Sequence, residues 1–225
     1  MKLRSIALAG LLGAGLLMTS GCTEDDVIDA IKDALHVNVV YAVNGIAGTT
    51  VTFSATDQTD VPVVYKSFTA FPLAGQSSYT VSYNGGSAAT INSDGIHLYV
   101  ATSCNANGYL QSSEDANRVQ VVNLTTAPLV GSNIVVQTSQ GTVSGSTSVN
   151  PCTVGSISDF NNIVIENDMN ISLDGGTTYT SITGIDANYL AIANNVKFDI
   201  VVFEDNNISL VPMAGYDDLL NFAAQ

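Results

Sequence analysis

From Val37 onward the chain is a succession of short apolar runs, many of them alternating with a period of two and rich in Val, Ile, Thr and Tyr. That pattern suits strands and little else. Candidate strands fall at 37–43, 49–55, 61–71, 78–84, 96–103, 118–124, 132–138, 162–166, 177–182, 196–203 and 207–213. Turn-forming clusters punctuate them, among them Asn84-Gly85-Gly86, Ser93-Asp94-Gly95 and Asp174-Gly175-Gly176. Many short strands with regular turn signals predict a sandwich or barrel. No helical pattern of about 10–15 residues alternates with them, which argues against a parallel α/β sheet. The expectation is an all-β chain of one or two Ig-like antiparallel β-sandwich modules. A short helix precedes them: Thr23 can cap it, Glu24, Asp25 and Asp26 suit its first turn, and Val27, Ile28, Ile31, Ala34 and Leu35 share a face. With 46% hydrophobic and 12% charged residues, disorder is excluded.

The first residues read as an address. Lys2 and Arg4 form a basic head, an apolar stretch runs from Ile6 to Met18, and Thr19-Ser20-Gly21-Cys22 closes it. The apolar stretch is too short for a permanent membrane span. A Cys directly after small residues resembles the lipobox of bacterial lipoproteins. That resemblance implies that Cys22 is acylated and becomes the mature N-terminus, and Thr23 after it implies the outer membrane. Acids outnumber bases 20 to 6, for a net charge of -14. After cleavage the bases are Lys32, Lys66, Arg118 and Lys197, so attachment would rest on acyl chains, not on anionic headgroups. The acid excess also excludes a nucleic-acid partner, which needs clustered Lys and Arg. Partners are therefore the membrane, through the anchor, and an envelope or surface protein.

If Cys22 takes lipid, Cys104 and Cys152 remain. Two such Cys in an exported protein predict one disulfide. A metal reading is poor, because two distant Cys and the two His, His36 and His97, show no ligand spacing. The divisions expected are a signal at 1–21, acylated Cys and helix at 22–36, one module at 37–111, a second at 117–213 with an insertion at 139–158, and a tail at 214–225. The modules show a faint duplication. Val37-Asn38-Val39-Val40-Tyr41 matches Val119-Gln120-Val121-Val122-Asn123, Ser78-Tyr79-Thr80 matches Thr178-Tyr179-Thr180, and His97-Leu98-Tyr99-Val100 matches Phe198-Asp199-Ile200-Val201. The stretch Arg118 to Leu124, followed by Ala127-Pro128, resembles the opening strand of a family of tandem bacterial surface β domains of unknown function. The resemblance implies fold and location and no reaction. On it, Tyr41 stands in the first copy where the family prefers Asn or His.

No catalytic constellation emerges. Gly141-Thr142-Val143-Ser144-Gly145 only partly matches a serine nucleophile elbow. Alternation sets His97 opposite Ile96 and Leu98, as a solvent-facing strand residue, and His36 ends the N-terminal helix. A glycosidase would need two carboxylates across a cleft. Twenty acids guarantee some pair, but no Trp offers a sugar platform. No cofactor is expected. Calcium is the ligand the turns come nearest to suiting, at Asn92-Ser93-Asp94-Gly95, Glu114-Asp115, Asp174-Gly175-Gly176 and Glu204-Asp205-Asn206-Asn207. None has EF-hand spacing, and Asn, Asp and Gly are also ordinary turn residues. The C-terminal Gly215 to Phe222 reads as a last helical turn packing Leu219 and Phe222 on the fold, with a partner-binding tail as the alternative. The expected function is a non-enzymatic envelope lipoprotein with a structural, adhesive or surface-assembly role. The alternative is a lipoprotein that binds or hydrolyses carbohydrate or peptide with Asp/Glu pairs.

Overall fold

A computed structural model describes residues 37–74, 78–92, 95–113, 119–160, 163, 166, 168–182, 197–213 and 215. Cys22, the helix expected at 22–36 and the tail beyond Gly215 lie outside the described residues. The described chain is all-β. Its first eight strands are β1 (Val37–Asn44), β2 (Thr50–Ala55), β3 (Val61–Val64), β4 (Phe68–Ala74), β5 (Tyr79–Tyr83), β6 (Ala89–Ile91), β7 (Gly95–Ala101) and β8 (Tyr109–Ser113). The next eight are β9 (Val119–Asn123), β10 (Val135–Thr138), β11 (Gly141–Ser144), β12 (Thr153–Ile157), β13 (Met169–Ser172), β14 (Thr180–Ile182), β15 (Lys197–Val202) and β16 (Ile208–Met213).

They form four sheets of four strands. Sheet I has the order β4-β1-β7-β8, sheet II β3-β2-β5-β6, sheet III β12-β9-β15-β16 and sheet IV β11-β10-β13-β14. The second set of eight strands repeats the order of the first, strand for strand. Sheets I and III each carry one parallel pair, β1 with β7 and β9 with β15. The expectation of wholly antiparallel sheets is corrected at those two places.

Both parallel pairs lie between strands buried on both faces. In β1, Val40 and Ala42 pack against sheet II, while Val39, Tyr41 and Val43 pack against sheet III. In β15, Phe198, Ile200 and Val202 pack toward sheet IV, and Val201 faces sheet I. All five residues of β9 are buried. Strands covered on both sides read as continuous apolar runs. The sheets therefore stack in the order II, I, III, IV, with three apolar layers between them. Outer strands keep the alternation of a half-solvated sheet, as in β5 with its inward Tyr79, Val81 and Tyr83.

Several strand boundaries differ from those expected. The run 61–71 is broken into β3 and β4 by a turn in which Lys66 adopts a left-handed backbone, φ 68°. Edge strands β8, β11 and β12 carry too little apolar alternation to announce themselves, and the short strands β6 and β13 alternate over only 3 and 4 residues. Of the strand expected at 162–166, Ile163 and Glu166 are described and neither is in a strand. The stretch 139–158 holds β11 and β12, which take the places of β3 and β4 in the second set. His97 is 2% exposed, because β7 is a central strand covered on both faces; the solvent-facing expectation is corrected. Its ring lies 3.3 Å from Asn38 Oδ1.

Candidate functional site

The two sets of strands meet with the same ends together. Asn44 ends β1 and Asn123 ends β9, and each is fully buried. Asn44 Nδ2 donates to the carbonyls of Thr49 and Val63, both at 2.9 Å, and its Oδ1 accepts from the Ile46 N–H. Asn123 Nδ2 donates to the carbonyls of Ala127 and Val149, and its Oδ1 accepts from the N–H and Oγ1 of Thr125. Each amide stitches its strand end to the following loop and to a neighbouring segment. A buried carbonyl left without such a donor is costly. These residues define what we term the loop end. They also re-register the duplication: Asn44 is the counterpart of Asn123, so the first strands align at an offset of 79 (123 − 44), not 82, and Tyr41 is not the counterpart of Asn123. The match between Ser78-Tyr79-Thr80 and Thr178-Tyr179-Thr180 pairs β5 with the entry to β14, strands that occupy different places. The match of His97 to Val100 with Phe198 to Val201 is in register, since Val100 pairs with Val43 and Val201 with Val122.

Most ties between the sets outside the middle apolar layer gather at the loop end. Cys104 and Cys152 form a disulfide there, with a Cα–Cα distance of 5.7 Å. Lys66 pairs with Asp205 at 2.5 Å, and its ammonium lies over the Tyr65 ring. Tyr65 meets Phe203 edge-on at 5.5 Å, and Ser209 Oγ donates to the Lys66 carbonyl. Burial pushes the Asp205 carboxyl up, but hydrogen bonds from Lys66 and Asn207 outweigh it and hold the group below its ordinary range. Gly45 is required by close approach: a Cβ there would sit 2.6 Å from Leu124 Cδ1 and 2.7 Å from the Ala101 carbonyl. At the other end, where Val37 enters and Met213 leaves, Gln120 Nε2 donates to the Ser113 carbonyl. We term this the exit end. Gln120 Oε1 and Ser112 Oγ are buried there without hydrogen-bond partners.

The loops considered for calcium use their oxygens internally. Asp174 accepts from Ser172 Oγ, from the N–H groups of Thr177 and Thr178, and from Thr178 Oγ1. Led by the Thr178 side chain, these bonds hold its carboxyl at about 2. Asp205 is taken by Lys66 and the Asn207 N–H. The stretches at 92–95 and 114–115 lie largely outside the described residues. Among the described residues, no group of three His, Cys, Asp or Glu is placed to hold a metal ion. Ser144 ends an edge strand opposite Val135, not a strand-to-helix elbow.

One depression brings acids together. Glu166 and Asp168 line an open hollow of about 510 Å³ with Gln137, Thr138, Ser139 and Asn170. The Ser139 Oγ and N–H donate to Glu166 at 2.5 and 2.6 Å, and these bonds lower its carboxyl below the ordinary range. Sequence reasoning did not single out this pair, because neither residue sits in a motif. No protein-family model matches the chain, and no curated protein matches it.

Proposed function

We propose that the chain is a non-enzymatic lipoprotein of the bacterial cell envelope, held at the outer membrane by acyl chains on Cys22, with a structural, adhesive or surface-assembly role. In this reading two Ig-like units in tandem form a rigid head. The observation that carries it is the Cys104–Cys152 disulfide, a bond suited to oxidising compartments outside the cytoplasm. The sequence up to Cys22 supports the same address. The segment between Cys22 and Val37 can reach roughly 50 Å if extended, enough to hold the head clear of a bilayer surface. Its partners are the membrane, through the lipid, and an envelope or surface protein.

The second reading, carbohydrate or peptide binding or hydrolysis by an acid pair, draws on Glu166 and Asp168 in their shared hollow. Hydrolysis by a carboxylate pair asks one member to stay protonated near neutral pH as the general acid. Glu166 is pulled the opposite way by Ser139, which disfavours it as that acid. Labelled palmitate fed to expressing cells tests the first reading. The wild-type chain should incorporate label and fractionate with membranes, and Cys22→Ser should do neither. Identical fractionation of the two chains without label would overturn it.

A further inference from the structure

Each inner sheet ends in two edge strands, β4 and β8 in sheet I and β12 and β16 in sheet III. The ties of Lys66 to Asp205 and Ser209 set β4 beside β16 on one flank, and Cys104–Cys152 sets β8 beside β12 on the other. An edge strand bonds its sheet with alternate residues, so one backbone bond fixes which residues turn their N–H and C=O outward. The Asn44 N–H donates to the Ser67 carbonyl, so Ala70 and Pro72 of β4 turn outward. The Phe203 N–H donates to the Asn207 carbonyl, so Leu210 and Pro212 of β16 turn outward. Both strands of this flank therefore carry a proline where an outward donor would stand, which guards an edge against added strands. Neither strand of the other flank holds a proline. In β8 the Thr102 N–H donates to the Gly108 carbonyl, so Tyr109, Gln111 and Ser113 turn outward. Side chains take two of their three carbonyls: Asn105 Nδ2 donates to Tyr109 at 2.8 Å, and Gln120 Nε2 to Ser113 at 2.7 Å. In β9 the Leu124 N–H donates to the Val202 carbonyl, so Val121 and Asn123 turn toward β12, and Val154 and Ser156 of β12 are left turned outward. Among the described residues nothing guards these two. β12 carries no charge, and no group bonds to their outward N–H and C=O.

We propose that the outer edge of β12 accepts an extended peptide strand from a partner protein, one that alternates apolar residues and carries Lys or Arg. The main-chain groups of Val154 and Ser156 offer two donors and two acceptors in the spacing that an antiparallel strand matches, and such bonds supply the affinity of strand addition. The alternation follows from Val154. It packs with Leu110 and Cys104 at the rim of the layer between sheets I and III. A residue laid opposite Val154 falls on the same face, so an apolar side chain there extends that layer. Charge selects the occupant. The chain carries -14, and exposed Asp159 stands just past the end of β12. A second copy paired edge to edge would bring two such bodies to a strand spacing of about 4.8 Å, inside a Debye length of about 8 Å, whereas a cationic strand is drawn to the same place. This gives a chemical class to the surface-protein partner proposed above and holds whether or not Cys22 is acylated, so the palmitate result and the one below fail independently.

Fluorescence anisotropy of the labelled peptide Lys-Thr-Val-Thr-Val-Thr-Lys against the full chain in detergent tests this. We expect a dissociation constant on the order of 100 µM. Methylating the two Val amide nitrogens, which face β12, should weaken binding by at least about tenfold, the worth of two main-chain hydrogen bonds; methylating the Thr nitrogens should change it less than about twofold, at the same peptide charge. Ser156→Pro, which removes one outward donor as Pro72 does in β4, should weaken binding about tenfold. Ser144→Pro makes the same change on edge strand β11, where the Gly145 bond to Ile134 leaves the Ser144 N–H outward, and should have less than about twofold effect. Amide exchange at Val154 and Ser156 in the wild-type chain should slow when the peptide is added, a readout that needs no variant to fold. Absence of binding up to about 1 mM overturns the proposal, as do equal responses to the two methylations or unchanged exchange at Val154 and Ser156. Slowed exchange there with rising protein concentration and no peptide overturns the peptide as occupant in favour of a second copy.

Discussion

Phe203→Ala probes whether the two strand sets form one cooperative body. Phe203 is fully buried in the layer between sheets I and III, among Val39, Tyr41, Val43, Leu98 and Val100 of the first set. It also meets Tyr65 edge-on at 5.5 Å. Removing a buried Phe ring typically costs 3–5 kcal/mol, of which the aromatic pair supplies about 1. The turn it starts keeps its backbone bonds to Asn206 and Asn207, so the loss is one of packing. The chain has no Trp, and six of its nine Tyr, at 41, 65, 79, 83, 99 and 109, belong to the first set. Tyrosine near-ultraviolet dichroism therefore reports mainly on the set that does not contain Phe203. With a urea dependence of about 3 kcal/mol per molar, the tyrosine midpoint should fall by roughly 1–1.7 M in one transition. Tyr65→Ala combined with Phe203→Ala should show about 1 kcal/mol of coupling in a double-mutant cycle. A tyrosine transition unmoved by Phe203→Ala, with a second transition shifting alone, would refute the shared middle layer.

Further outcomes follow from the same contacts. Asn44→Ala and Asn123→Ala should each cost about 2–4 kcal/mol in urea unfolding, because each strands two carbonyls at a buried strand end; losses below about 0.5 kcal/mol would deny their capping role. Replacing Cys104 and Cys152 together by Ser should lower stability by up to about 4 kcal/mol, read by calorimetry against the oxidised chain, since the bridge spans a sequence separation of 48. The Asp174 carboxyl is held at about 2 in the folded chain, below its ordinary value of 3.8, and Asp159 and Glu166 are also held low by Ser146 and Ser139. A depressed folded pKa supplies stability that is present above the unfolded value and lost as pH falls toward the folded one. Melting temperature should therefore decline between about pH 5 and pH 2, and Asp174→Asn should flatten that slope.

The all-β class was legible because Val-rich runs and Gly/Asn turns leave no helical alternative. The disulfide was legible from counting Cys once Cys22 is set aside. The stacking of four sheets was not. A run such as Val119 to Asn123 signals burial on both faces, but nothing in it says which sheet covers the second face. Edge strands escaped because Gly141 to Ser144 is almost all polar and Tyr109 to Ser113 is largely so, and an edge half in water needs little apolar alternation. The β3–β4 turn escaped because Lys66, a residue with no turn preference, takes the left-handed backbone there. Aligning the copies on their Val residues set the register three residues off. The buried Asn at each strand end is the better guide, because its role is fixed by hydrogen bonds whereas Val is interchangeable along a strand. Glu166 and Asp168 are near neighbours in the sequence, but that Ser139 of the β10–β11 turn lies against Glu166 is announced by no motif.

Intact mass spectrometry of the protein extracted from cell membranes tests the tethered, exported state most directly. The account predicts a chain that begins at Cys22, carries the mass of acyl groups, and is two hydrogens lighter than its reduced form because Cys104 and Cys152 are joined. A chain that begins elsewhere with no added acyl mass, or that holds both thiols free, would contradict it.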